Sequence, residues 1–257
     1  MEIKNVKPKK TKKKKKNGIK TAAVVVLVLL IIAGSLFVLS QTVLFKIKNI
    51  EVKGSAIYSS EEILNTCKIS SGDLLYSLNN QSKCNNITTA LPYIKSVKLS
   101  QKLPDTLIIT VTDNTAHYQF ESGGVYYFAD SEYKILELAQ EPNEGLITIT
   151  ASGIKNPKVG QKAEFVDPTK LDVIEKLSKK CEQYDNITLS SIDLSDDIYI
   201  NFTVNKTVDV KLGSEIDIDY KFTHLSGMIK ELPADVSGEI NLESYTQKDP
   251  KGYFKGY

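Results

Sequence analysis

The side chains that could do chemistry are few and scattered. The two histidines, His117 and His224, stand far apart, and neither has a zinc-type spacing or a neighbouring nucleophile. His224 also falls off the apolar face of the helix expected around it, as a solvated surface histidine does. Asp193, Asp196 and Asp197 could attract a cation, yet they lack the glycine and closing glutamate of a calcium loop and read as turn residues between two strands. The stretch from Gly153 to Lys162 has two glycines and a lysine, without the spacing or the following hydroxyl of a phosphate-binding loop. Cys67, Cys84 and Cys181 are an odd set. Cys67 follows Ile63 by four and Cys181 follows Leu177 by four, so each shares a helix face with an apolar neighbour and is expected to be a buried thiol. A bridge between Cys67 and Cys84, both in one small domain, stays open. These residues imply no catalytic group, cofactor or metal, so a binding protein rather than an enzyme is expected.

A protein without chemistry works by where it is held, and the opening of the chain sets that. Ten lysines and one acid occupy the first twenty residues, and the uncharged segment Thr21 to Phe45 follows. Its apolar heart runs from Ala22 through Leu30 to Leu39, close to the roughly 20 residues that cross a hydrocarbon core. The positive flank predicts a cytoplasmic amino terminus and an exported remainder. A removed signal sequence is the competing reading, but its apolar region is usually only about 7–15 residues with a small-residue cleavage site beyond, and no such site follows Leu39. An uncleaved anchor is therefore expected, with a basic tail over 1–20 and a transmembrane helix over 21–45. The lysine run fixes orientation and can meet anionic lipid. It has no interleaved aromatic or arginine for base stacking, so nucleic acid is not an expected partner.

The rest of the chain holds 23 of the 33 basic residues and 30 of the 31 acidic ones, a net charge of −7 against +2 for the whole. Binding of nucleic acid or a wall polyanion by that part is disfavoured. All the basic residues are lysine and tryptophan is absent, a compositional bias without chemical content. The N-x-S/T sequences at Asn86 and Asn201 accordingly read as accidents of composition rather than glycan sites.

From Phe45 to about Thr112 the elements follow in the order strand, helix, helix, strand, strand. Ile47, Ile50 and Val52 predict a strand closed by Gly54. Ser59 and Glu62 make a capping box for a helix with Ile63, Leu64 and Cys67 on one side. Cys84, Ile87 and Leu91 mark a second helical face, which Pro92 ends. Alternation at Ile94, Val97 and Leu99, then at Leu107, Ile109 and Val111, predicts two strands joined through Leu103-Pro104-Asp105, with the proline outside the ladder. This segment resembles the POTRA module of the FtsQ/DivIB family of single-pass bacterial division proteins. The resemblance is most specific at Pro92-Tyr93-Ile94, Val97 and Leu103-Pro104. It departs where the family has a Glu-Arg-x-Pro type of sequence and this chain has Thr112-Asp113-Asn114-Thr115-Ala116, the junction between domains.

The second segment alternates through VYYFADSEYKIL, LITITASG, ITLSSIDLS, DIYINFTV, TVDVKL and SGEINLES. Two helices interrupt it. One opens at Asp167-Pro168 with Leu171, Ile174, Leu177 and Cys181 as its stripe, and the other carries Phe222, Leu225, Ile229 and Leu232 before Pro233. The expected fold class is α+β: a transmembrane helix, a POTRA domain over 46–113, an antiparallel β-rich domain with two helices over 114–244, and a flexible tail over 245–257. The resemblance implies a noncatalytic scaffold that binds FtsB/DivIC-like and FtsL-like proteins at the division septum of the inner membrane and helps control septal wall synthases. It places the contact on the late strand after the last helix, at Glu239, Ile240, Asn241, Leu242 and Glu243, with Tyr245 beside them. An edge strand can accept a partner strand through its backbone while Ile240 and Leu242 face the core. A membrane-anchored wall enzyme and a POTRA export chaperone are the competing expectations, although no run of strands long enough for a barrel remains.

Overall fold

The computed structural model describes residues 16–39, 45–77, 79–151, 153–155, 157–233 and 235–257, with side chains from Thr21 onward. Most of the basic tail and residues 40–44 of the expected span lie outside the described residues. Helix α1 covers Lys16–Leu39, and its stretch Thr21–Leu39 is long and apolar enough to cross a membrane. Its large apolar side chains, Val24 through Leu39, are about half exposed or more. At 1.5 Å per residue, those 19 residues rise about 29 Å, close to one hydrocarbon thickness.

A three-stranded sheet follows, built from β1 (Asn49–Lys53), β2 (Ile94–Lys102) and β3 (Thr106–Asp113). β3 lies in the centre, parallel to β1 and antiparallel to β2. Between β1 and β2 run three short helices, α2 (Ser60–Cys67), α3 (Asn79–Lys83) and α4 (Ile87–Ala90), where two were expected. Residues 84–86 interrupt the second helical stretch as a turn, with Asn86 standing before α4. The capping box at Ser59 is formed: Glu62 N–H donates to the Ser59 hydroxyl, and Ser59 N–H donates to the Glu62 carboxylate. Ile47, Ile63, Leu75, Ile87, Ile94, Leu107 and Ile109 form a small core of their own, each at most 1 % exposed.

The cysteines correct the sequence reading in part. Cys67 and Cys84 are joined as a disulfide with their Cα atoms 4.3 Å apart, so these two are not free thiols. Helical spacing put Cys67 on the buried face, but it could not reveal that α2 and the α3–α4 turn bring a second sulfur to the same point. Cys181 is the buried free thiol expected, and burial pushes its pKa up to about 12.

The larger part is one nine-stranded sheet in the order β12-β11-β10-β9-β8-β7-β4-β5-β6. Its strands are β4 (Tyr118–Ser122), β5 (Val125–Ala129), β6 (Ile135–Ala139), β7 (Ile147–Ala151), β8 (Leu189–Leu194), β9 (Ile200–Val204), β10 (Val208–Gly213), β11 (Gly238–Asn241) and β12 (Tyr253–Gly256). Helix α5 (Thr169–Cys181) joins β7 to β8, and α6 (Ile218–Glu231) joins β10 to β11. The sheet is mixed rather than antiparallel throughout, because β4–β7, β7–β8 and β10–β11 are parallel pairs. Two of these pairs are joined through a helix, and such a connection returns the chain at the end where it started. Both helices bury their apolar stripes in one core, where Phe222 of α6 stacks on Phe202 of β9 at 5.7 Å.

Candidate functional site

The sheet ends where the sequence reading placed its functional strand, but that strand is not the edge. β11 pairs in parallel with β10 on one side, Val210 opposite Ile240. On its other side β12 pairs with it antiparallel, with Gly238 opposite Gly256, Ile240 opposite Phe254 and Asn241 opposite Tyr253. The tail expected to be flexible therefore folds back and covers β11, and β12 is the outermost strand. The turn from Ser244 to Lys251 makes this possible: Gln247 N–H donates to Asp217, the Gln247 amide donates to the Tyr220 hydroxyl, and Asp249 N–H donates to the Thr246 hydroxyl. A tail poor in aliphatic residues gave no strand signal, because its pairing comes from the backbone and from a strand earlier in the chain.

Each predicted residue has a distinct place in this corner. Ile240 and Leu242 are fully buried core residues, and Tyr245 is buried with its ring stacked on His224 at 4.8 Å. His224 is thus half-buried at the sheet corner instead of free in solvent. Glu239 faces the side of the sheet that the helices leave bare and pairs with Lys211 at 3.0 Å. Asn241 turns its side-chain oxygen to the Glu243 N–H, and Glu243 is exposed. Ile240, Leu242 and Tyr245 therefore belong to the core. Glu239, Asn241 and Glu243 lie outside that core.

The hold of β12 on β11 is slight. Phe254 is its one half-buried large side chain, whereas Tyr253 and Tyr257 are 58 % and 74 % exposed. Gly238 makes room for it: a Cβ there would lie 2.5 Å from both the Lys255 carbonyl oxygen and the Phe254 ring. At the far end Tyr257 donates its hydroxyl to Asp209 at 2.6 Å, which raises the phenol to about 12. Nothing in the sequence marked Gly238 as part of the site, or showed that Phe254 and Tyr257 of the tail would lie against β11 and Asp209.

The other candidate residues do not converge. His117 is exposed and contacts the Thr115 hydroxyl, well removed in the chain from His224. Asp193 accepts from Ser195 N–H, and Asp196 from Ile198 N–H and Tyr199 N–H, the geometry of turn residues. Asp197 instead pairs with the buried Lys170 at 3.1 Å. Among the described residues no three His, Cys, Asp or Glu side chains group as metal ligands do.

The junction between the two sheets is also built from residues the sequence left unread. Asn114 N–H donates to the Tyr93 carbonyl in the small unit, and its side chain donates to Asp130 in the large one at 2.6 Å. Lys134 donates to the carbonyls of Thr88 and Ile94, and burial lowers its pKa.

Comparison with known proteins agrees with this architecture. The profile of the FtsQ-type POTRA domain matches residues 45–114, the three-stranded unit. A cell division protein DivIB of Clostridium acetobutylicum is 28 % identical over 200 residues, covering 77 % of this chain and 79 % of that protein. DivIB of Clostridium tetani is 23 % identical over 205 residues, covering 77 % and 76 %. FtsQ of Geotalea daltonii is 27 % identical over 204 residues, covering 78 % and 72 %. With an FtsQ-type POTRA unit after an apolar helix, this chain is similar over about three quarters of its length to the bacterial cell-division proteins DivIB and FtsQ.

Proposed function

We propose that the protein is a noncatalytic, membrane-anchored scaffold of the division septum. In this reading the lysine-rich amino terminus stays in the cytoplasm, and the units 46–113 and 114–244 stand outside. The corner made by β10 and β11 receives an FtsB/DivIC-like partner, with an FtsL-like protein in the same assembly, and through them the protein influences septal wall synthesis. One observation carries the reading. The outer edge of β11 takes up a short antiparallel strand, residues 253–256, using backbone pairing and a single half-buried ring. An edge that accepts that strand has the geometry to accept another. The partner strand replaces β12 on β11, and Glu239, Asn241 and Glu243 meet its side chains.

Ile240 is unsuitable for testing this, because an altered side chain there opens the core at a cost of about 2–5 kcal/mol. Deleting residues 248–257 keeps Ile240 and Leu242 and removes the competitor together with its one packed side chain, Phe254. Co-purification of the membrane-inserted chain with the FtsB/DivIC-like protein from the same organism is expected to give tighter binding to the truncated chain, by about tenfold. Loss of binding on truncation would move the contact to β12, and no binding by either form would sink the scaffold reading.

A further inference from the structure

The end of the small sheet that faces the anchor carries apolar and basic side chains that its own core does not use. Leu39, the last residue of α1, and Phe45 are six residues apart, a distance that extended chain covers in at most about 21 Å. Three segments meet at this end. Lys46 bridges Leu74, and Leu75 N–H donates to the Phe45 carbonyl at 2.8 Å. Gln101 donates its amide to the Leu75 carbonyl at 3.0 Å. The Asp105 carbonyl accepts from Lys48 N–H at 2.9 Å, which sets the turn between β2 and β3 beside the start of β1.

The tips of these segments are exposed and apolar. Leu103 in the turn is 58 % exposed, Leu74 is 45 % and Tyr76 is 44 %, with the Tyr76 ring edge-on to Phe45 at 5.2 Å. Around them Lys46, Lys48 and Lys102 are exposed. The nearby acids are engaged with cations, Asp73 with Lys83 and Asp105 with Lys48.

We propose that this end is a membrane foot: Leu103, Leu74 and Tyr76 enter the headgroup boundary of the outer leaflet, and Lys46 and Lys102 meet anionic lipid headgroups. The proposal rests on reading α1 as a span. Three features favour a lipid surface as the occupant. The foot is tethered within about 21 Å of that surface. Its charge is opposite to that of anionic lipid. Its apolar tips are flanked by an amphipathic tyrosine, the residue type enriched at bilayer interfaces. A foot on the membrane fixes the tilt of the whole extracytoplasmic part.

The chain contains no tryptophan, so a single introduced indole reports without background. The full chain carrying Leu103→Trp, and separately Tyr76→Trp, is inserted into vesicles of phosphatidylcholine and phosphatidylglycerol, with and without bromine on the acyl chains near the headgroup. Blue-shifted emission that the brominated lipid cuts at least twofold is expected, with weaker quenching when phosphatidylglycerol is omitted. Ile198→Trp, at a position 71 % exposed in the turn between β8 and β9, is expected to stay unquenched. Unquenched indoles at 103 and 76 in a chain that floats with the vesicles overturn the foot and leave the anchor standing. A chain that does not float overturns both.

Discussion

Gly238 decides at the residue scale whether the C-terminal strand can lie on β11, since any Cβ there meets the Lys255 backbone and the Phe254 ring. Gly238→Val should therefore lift β12 away without opening the core under Ile240. Hydrogen exchange is the measurement: amides 253–256 are expected to lose at least tenfold in protection, or about 1.4 kcal/mol, while β9 and β10 keep theirs. Unchanged protection would mean that the strand is held by something other than this close approach. Sequence reading had no access to Gly238, because a glycine before a strand looks like an ordinary turn residue until the chain that packs on it is known. Ile240 and Leu242 were legible as inward-facing residues, because alternation alone fixes which side of a strand meets the core.

At the scale of elements, the covalent link between α2 and the α3–α4 turn does what the short helices cannot do alone. α3 and α4 have five and four residues, too short to persist without tertiary support. Cys67 and Cys84 are 17 residues apart, and in the chain-entropy account a loop of that size contributes about 3 kcal/mol. Replacing both by alanine is expected to lower the stability of the small unit by about that amount in urea unfolding and to leave the nine-stranded sheet unaffected. Equal unfolding of variant and wild type would show that packing of Ile63, Leu75 and Ile87 suffices. The order of strands and helical stretches in this unit was legible from the capping box, the proline stops and the alternating runs, but the break between α3 and α4 was not. The link was not, because it depends on two segments meeting in space.

The two sheets behave as one body only as far as their junction holds, and Gly160 sits in that junction. Its φ of +83° and a Cβ position 2.4 Å from the Thr89 carbonyl oxygen leave no room for a side chain. Gly160→Ala is expected to separate the sheets while each core stays folded. Faster proteolysis near residues 114–117 and a broader solution scattering profile would report it. A variant as resistant as wild type would show that Asn114, Asp130 and Lys134 hold the junction unaided. The sequence marked this region only as a departure from the family pattern. Asn114, which ties both halves together, had no periodicity to announce it.

The sequence by itself determined the apolar N-terminal helix, most of the elements up to β11, the faces of those strands and the resemblance to FtsQ/DivIB, because all of these rest on local composition and on periods of 2 and 3.6 residues. Tertiary structure alone decided which strands are neighbours, that Cys67 meets Cys84, that Asn114 and Gly160 join the sheets, and that the chain's own last residues occupy the edge of β11. The reason is common to all four. Pairing through backbone groups and close approach of distant segments depends on where the chain returns, and no local pattern records that.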